Sequence, residues 1–356
     1  MNSKQWIKSW VLMVMFIFSI SMSVNYLVDP FDIFHTSILK HQHQVNERFA
    51  KIEFLDKNNK KFNGYMFGSS RIGTTYPSSI EKYIPNSKIY NLTMASANLY
   101  DYMMNLKYFV KKQYPINTIY LQLDIENMNQ YGKFESIFYK KLHPYVLDES
   151  LPWFYTQHLI GLFPMNIKGK INKNLHYDYE NRTDYFLDIG MWTKPGKEQH
   201  LINDCKSYVE NEPEFHLNYK RKVKYRTAKG SMSALSEIKS ICQKHNIKLY
   251  VFITPHNQNM MDTFVLDDYL KYIKDISEIT DFYDFSGYNS ITTNNCNYYE
   301  SSHYRPYIGE LIAARIFNDK SINVPTDFGV FVNKNNIDLH LKKLREEINE
   351  YEISKK

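Results

Sequence analysis

Two short tracts, far apart in the chain, hold the residue types that acyl-group chemistry needs. Gly68-Ser69-Ser70-Arg71 follows the apolar run Gly64-Tyr65-Met66-Phe67, so its serines sit on a turn leaving a strand. Backbone amides at such a turn can face developing negative charge. Tyr299-Glu300-Ser301-Ser302-His303-Tyr304 places an acid three residues before a histidine. A serine is a poor nucleophile until a base takes its proton, and that base needs an acid to fix its tautomer. Ser70, His303 and Glu300 can supply nucleophile, base and orienting acid.

The elements that must position these groups are read from hydrophobic periodicity. Runs at 64–67, 88–92, 119–123, 248–253 and 281–285 are short and apolar enough to be buried strands. Between them, Leu99, Tyr102, Met103, Leu106, Phe109 and Val110 recur at helical spacing, as do Ala234, Leu235, Ile238, Ile241 and Cys242. Leu266, Leu270, Ile273 and Ile276 form a third such set, and Ile337, Leu341, Leu344, Ile348 and Tyr351 a terminal one that docks on the domain. Strands alternating with helices predict an α/β domain, a three-layer parallel sheet with flanking helices. In such sheets ligands bind beyond the carboxyl ends of the strands. Ser70, Asp124, Pro255-His256 and Glu300–His303 all follow strands, so His256 is expected to line the same pocket. Arg71 reads as a structural ion-pair partner beside it. The stretch 35–59 is expected to be a helix with Val45, Phe49, Ile52, Phe54 and Leu55 on its apolar side.

Here the tracts resemble a known superfamily. SGNH (GDSL-like) hydrolases place a nucleophilic serine after a strand in a G-D-S pattern and end on a D-x-x-H block. Gly68-Ser69-Ser70 stands in for the first, and Glu300 with His303 for the last. The wider layout is similar to membrane-anchored members that modify envelope glycans, of the teichoic-acid D-alanylation and alginate O-acetylation types. The shared features are Val28-Asp29-Pro30-Phe31, Gly68-Ser69-Ser70-Arg71, Asn91-Leu92-Thr93-Met94-Ala95-Ser96-Ala97 and His303-Tyr304. The resemblance implies an SGNH/flavodoxin-like sheet and a serine esterase or O-acyltransferase acting on an envelope polysaccharide. No cofactor is implied; an integral-membrane acyl-transfer partner is. Against the family pattern, Glu300 replaces Asp, and Ser96, or Ala95 one position earlier, replaces the second-block glycine of the oxyanion hole. Asp124 falls where an oxyanion-binding asparagine is expected, and an ionised carboxylate cannot donate a hydrogen bond. Asp124 is therefore either protonated or relieved by another donor, Asn91 or Asn98. The alternative is an inactive SGNH-like protein that binds glycan or scaffolds an envelope assembly.

The amino terminus sets the location. Residues 9–28 carry no charge, and at about 1.5 Å per residue they cover the roughly 30 Å hydrocarbon core of a bilayer. Lys4 and Lys8 precede them, which by the positive-inside rule leaves the remainder outside the cytoplasm. No small-residue cleavage motif follows, so an anchor is expected rather than a cleaved signal. The expected layout is a stub at 1–8, an anchor at 9–28, a connector at 29–62 and an SGNH-like domain at 63–320. An insertion interrupts that domain at about 130–226, and a helical extension occupies 321–356. The insertion is rich in aromatics, among them Trp153, Tyr155, Tyr179 and Trp192, and reads as a lid, a packing subdomain or a sugar-stacking surface.

Other classes find no support. The net charge of +6 is spread along 356 residues with no basic run, which argues against nucleic acid and for a weak preference for anionic surfaces. His41-Gln42-His43 has no acidic or cysteine partner at ligand spacing, so no metal is expected. There is no phosphate-binding glycine loop. Cys205, Cys242 and Cys296 allow one disulfide without selecting it.

Overall fold

A computed structural model describes residues 2–217, 222–226 and 229–354, so residues 218–221 of the aromatic-rich stretch lie outside the described residues. The chain forms two compact units, residues 1–54 with 134–179, and residues 55–133 with 180–356. Of the stretch at 130–226, residues 134–179 belong to the smaller unit and the rest to the larger.

The larger unit is α/β. Its strands are β1 (Gly64–Gly68), β2 (Ile89–Thr93), β3 (Thr118–Leu123), β4 (Lys248–Ile253), β5 (Phe282–Asp284) and β6 (Val330–Val332). They lie in the order β6-β5-β4-β3-β1-β2, parallel except for β6, which runs antiparallel on β5 at the edge. The run 2-1-3-4-5 is the order of a doubly wound sheet, whose ligand crevice opens at the switch point between β1 and β3. Each residue of β1, β2 and β3 is buried, as a sheet covered on both faces requires.

Alternation along the strands sends neighbouring side chains to opposite layers. On one face Tyr65 and Phe67 meet Phe109 of helix α3 (Leu99–Lys111), with ring centroids 4.8 and 6.4 Å away. On the other, Met66, Tyr120 and Phe252 join Ile308, Ile312 and Ala313 of helix α9 (Pro306–Ile316) in one apolar cluster. The remaining long helices of this unit are α6 (Pro195–Asn211), α7 (Lys229–Lys244), α8 (Leu266–Ser277) and α10 (Ile337–Ser354). The terminal helix α10 docks along α8 and buries Ile337, Leu344 and Ile348.

The smaller unit is built around helix α1 (Ser3–Val28), at 26 residues about 39 Å long, with most of its surface exposed. This apolar helix is compatible with a single-pass membrane anchor. Helices α4 (Leu151–Ile160) and α5 (Pro164–Leu175) pack against it, over a small aromatic core of Phe31, Ile33, Phe49, Phe154 and Phe163. The helix expected over 35–59 is shorter, α2 (Glu47–Asn58). Upstream, His35 adopts a left-handed φ of 54° and the Thr36 hydroxyl donates to the Tyr26 carbonyl. Asn46 then accepts a hydrogen bond from Phe49 N at 3.1 Å and starts the helix, as a capping asparagine does.

Phe67, wholly buried, and Phe331, 44% exposed, separate core from surface. Phe67→Ala should cost about 3–5 kcal/mol in denaturant unfolding of the detergent-solubilised chain. Phe331→Ala should stay within about 0.5 kcal/mol.

Candidate active site

β1 ends at Gly68 because the chain must turn hard there. A Cβ at Gly68 would lie 2.2 Å from Ile72 Cγ2 and 2.9 Å from Gln122 Oε1, so only glycine fits. The turn sends its two serines opposite ways. Ser69 points inward, its amide donating to Gln122 Oε1 at 2.9 Å and its hydroxyl to Asp124 Oδ2 at 3.3 Å. Ser70 points outward, and its Oγ lies 2.9 Å from His303 Nε2.

His303 and Glu300 stand on a small antiparallel ladder, Tyr298–Glu300 with His303–Tyr304. The ladder faces Glu300 toward the ring, and the carboxylate makes a short contact with His303 Nδ1. A carboxylate only accepts, so Nδ1 carries the proton and Nε2 is left to accept from Ser70. Burial pushes the Glu300 carboxyl up, but His303 and the Lys194 ammonium, 2.8 Å from Oε2, hold it well below the usual carboxylate range. Trp192 meets the imidazole edge-on with centroids 5.2 Å apart, and its amide donates to Gly73 O at 3.0 Å. Gly73 leaves the room this needs, since a Cβ there would sit 2.0 Å from the indole nitrogen.

Helix α6 and its neighbours fix the histidine loop from behind. The Tyr208 hydroxyl donates to Tyr299 O at 2.5 Å, Ser301 donates to Glu214 at 2.9 Å, and Arg305 pairs with Glu198 at 2.6 Å. A disulfide joins Cys205 of α6 to Cys296, just before Glu300, while Cys242 is free and buried.

Beside Ser70 opens a cavity of about 250 Å³ lined by Ser69, Ser70, Arg71, Ser96, Glu126, Asn127, Gln130, Ser302 and His303. Ser96 lies on its wall with a left-handed φ of 51°, the conformation that favours glycine. Compared with known proteins, no family model matches this chain, and no curated protein does.

Of the residues singled out from the sequence, Ser70, His303 and Glu300 come together, with Ser96 and Arg71 at the same cavity. Asp124, Asn91 and His256 do not line it. Asp124 is wholly buried and pairs with Arg71 at 2.8 Å, while Arg71 also binds Glu126. Burial pushes the Asp124 carboxyl up, but Arg71 and hydrogen bonds from Asn127 N and Gln122 hold it below its ordinary value. It is ionised and cannot donate. The Asn91 amide braces the serine turn from below, donating to Ile72 O at 3.2 Å and Thr75 O at 3.1 Å. Asn98 caps α3, accepting from Tyr100 N and Asp101 N. His256 is buried, lowered to about 3 by desolvation and by Arg71, and therefore neutral. Sequence reasoning missed Asn127 and Lys194, and it placed Trp192 only in the aromatic-rich stretch and not beside His303. Asn127 was legible in principle, being three residues beyond Asp124 on the same post-strand turn; the other two had no motif.

The Asp124–Arg71 pair gives a pH test. With its folded carboxyl below the unfolded value of about 3.9, Asp124 contributes stability above that value and loses it as pH falls through the lower folded one. In Arg71→Met the largest opposing attraction is lost and only the hydrogen bonds from Asn127 N, Gln122 and Ser69 still oppose burial, so the carboxyl rises and stability falls as pH rises through it. This variant should lose about 3–5 kcal/mol at pH 7 and regain part of it near about pH 4, read by urea unfolding. Equal stability of variant and wild type at pH 7 would contradict the pairing.

Proposed function

We propose that the larger unit is a serine esterase or O-acyltransferase of SGNH-like type acting on acyl groups of a cell-envelope polysaccharide. The observation that carries this reading is the relay Ser70 Oγ, His303 Nε2, His303 Nδ1, Glu300, continuous in hydrogen bonds and opening on a cavity. Ser70 Oγ attacks the ester carbonyl carbon as His303 Nε2 takes its proton, and Glu300 stabilises the imidazolium that forms. Negative charge on the former carbonyl oxygen is met by the backbone amides of Ser70 and Ser96. Asn127 supplies the side-chain donor, its carboxamide having N–H groups that the carboxylate of Asp124 lacks. As the tetrahedral species collapses, the bond to the alcohol breaks and His303 returns the proton to it. Water or a sugar hydroxyl then attacks the acyl-serine with His303 again acting as base, which completes hydrolysis or transfer.

Location is part of the same proposal. α1 anchors the chain and the catalytic unit lies on the extracytoplasmic side, at the envelope surface, with an integral-membrane acyl-transfer partner in reach. Lys4 and Lys8 before the apolar run support this orientation, and the Cys205–Cys296 disulfide supports an oxidising compartment.

Fluorophosphonate labelling of the full chain, with p-nitrophenyl acetate turnover, tests the chemistry. Wild type should label; Ser70→Ala should not, and Ser69→Ala should still label. Glu300→Gln should lower kcat on the order of 10⁴-fold, and Asn127→Ala by about 10²–10³-fold. A folded wild type that neither labels nor turns over would reject the enzyme and favour a glycan-binding role.

A further inference from the structure

Helices α4 and α5 turn toward the solvent the kind of face that soluble helices bury. On α5 the exposed positions are Pro164, Met165, Lys168, Ile171, Asn172 and Leu175, all on one side of the helix and mostly apolar. On α4 they are Pro152, Trp153, Thr156 and Ile160, again one side. The turn between the helices presents Leu162, and Leu162 and Met165 are each 84% exposed, with Leu175 at 70% and Trp153 at 56%. Apolar exposure concentrated like this marks an interaction surface.

The position of the turn along α1 says what covers it. The Asn25 side-chain amide donates to Leu159 O at 2.7 Å and to Gly161 O at 2.8 Å, so the end of α4 meets α1 at Asn25. Asn25 lies about 4.5 Å inside the end of α1 along its axis. The turn therefore reaches back beside the apolar run, whose own side chains are exposed at Met22, Val24 and Leu27. Helix-end carbonyls placed at that depth need a partner other than water, and Asn25 provides it. At mid-length α5 is tied to the cap of the same helix, Lys170 Nζ donating to Asp29 O at 2.7 Å. The charge agrees: residues 150–177 contain no Asp or Glu, while Lys168, Lys170 and Lys173 lie on α5.

Resting on the anchor reading above, we infer that the α4–α5 hairpin is a second membrane contact, seated in the headgroup region of an anionic bilayer. Leu162 and Met165 dip below the phosphates, Trp153 lies at the interface, and Lys168 reaches up to lipid phosphate. The contact makes α1 and the hairpin one wedge rather than a single tether.

The test uses the full chain in vesicles of phosphatidylcholine with phosphatidylglycerol. Nitroxide labels are placed at Leu162→Cys, Met165→Cys and, as a reference within the anchor, Ile17→Cys. The native cysteines are a disulfide pair and the buried Cys242, so the label goes to the new thiol. Labels at 162 and 165 should collide with oxygen and be shielded from a water-soluble nickel chelate, at a depth of about 5–10 Å. Depth at 17 with full nickel access at 162 and 165 would overturn the hairpin contact and leave the anchor standing. Shielding from both probes at 162 and 165 would overturn it in favour of a protein occupant. Nickel access at 17 would remove the anchor, and this inference with it.

Discussion

Arg71 and Asp124 meet 2.8 Å apart beneath the serine turn, one on the segment leaving β1 and the other at the end of β3. Removing such charges from water costs several kcal/mol per ion, and hydrogen bonds from neighbouring groups offset part of that cost. Gln122, Asn127 N and Ser69 serve Asp124, and Glu126 serves Arg71. The pair locks two neighbouring strand ends at the switch point of the sheet. With Ser69 held down on Asp124, the next residue has to face the cavity. The orientation of Ser70 is thus a by-product of satisfying a buried charge.

The histidine side of the site is rigid for a different reason. Its loop is short and carries its own acid, so Glu300 and His303 need only a two-strand ladder to face each other. What that ladder lacks in size is supplied by α6, through Tyr208, Glu198 and the disulfide. Lys194 compensates the buried charge of Glu300, so the relay is backed by a cation as the serine turn is backed by Arg71. Each half of the site therefore contains one buried acid and one base fixed behind it.

Much of this was legible in the sequence, and the parts that were not share a cause. The strands at 64–68, 118–123 and 248–253 announce themselves because buried parallel strands are near-continuous apolar runs. Ser70, Glu300 and His303, which the fold brings together, could be singled out because each tract is local in sequence. Asp124 was placed after β3 and Arg71 was read as an ion-pair partner, but no local pattern shows that the two pair with each other. Trp192 and Lys194 reach the site from a hairpin more than a hundred residues before His303, and only the fold brings them there. The helix expected from residue 35 begins at 47 because a left-handed residue and a capping asparagine outweigh composition.

The hydrogen bond between Ser70 and His303 spans 233 residues of sequence, and the disulfide that braces the histidine loop spans 91. A chain made from its amino terminus carries the serine early and its base late. Until His303 has been made, the Ser70 hydroxyl has no imidazole to bond. Chain order therefore leaves the hydrogen-bonded set of Ser70, His303 and Glu300 incomplete until late in synthesis.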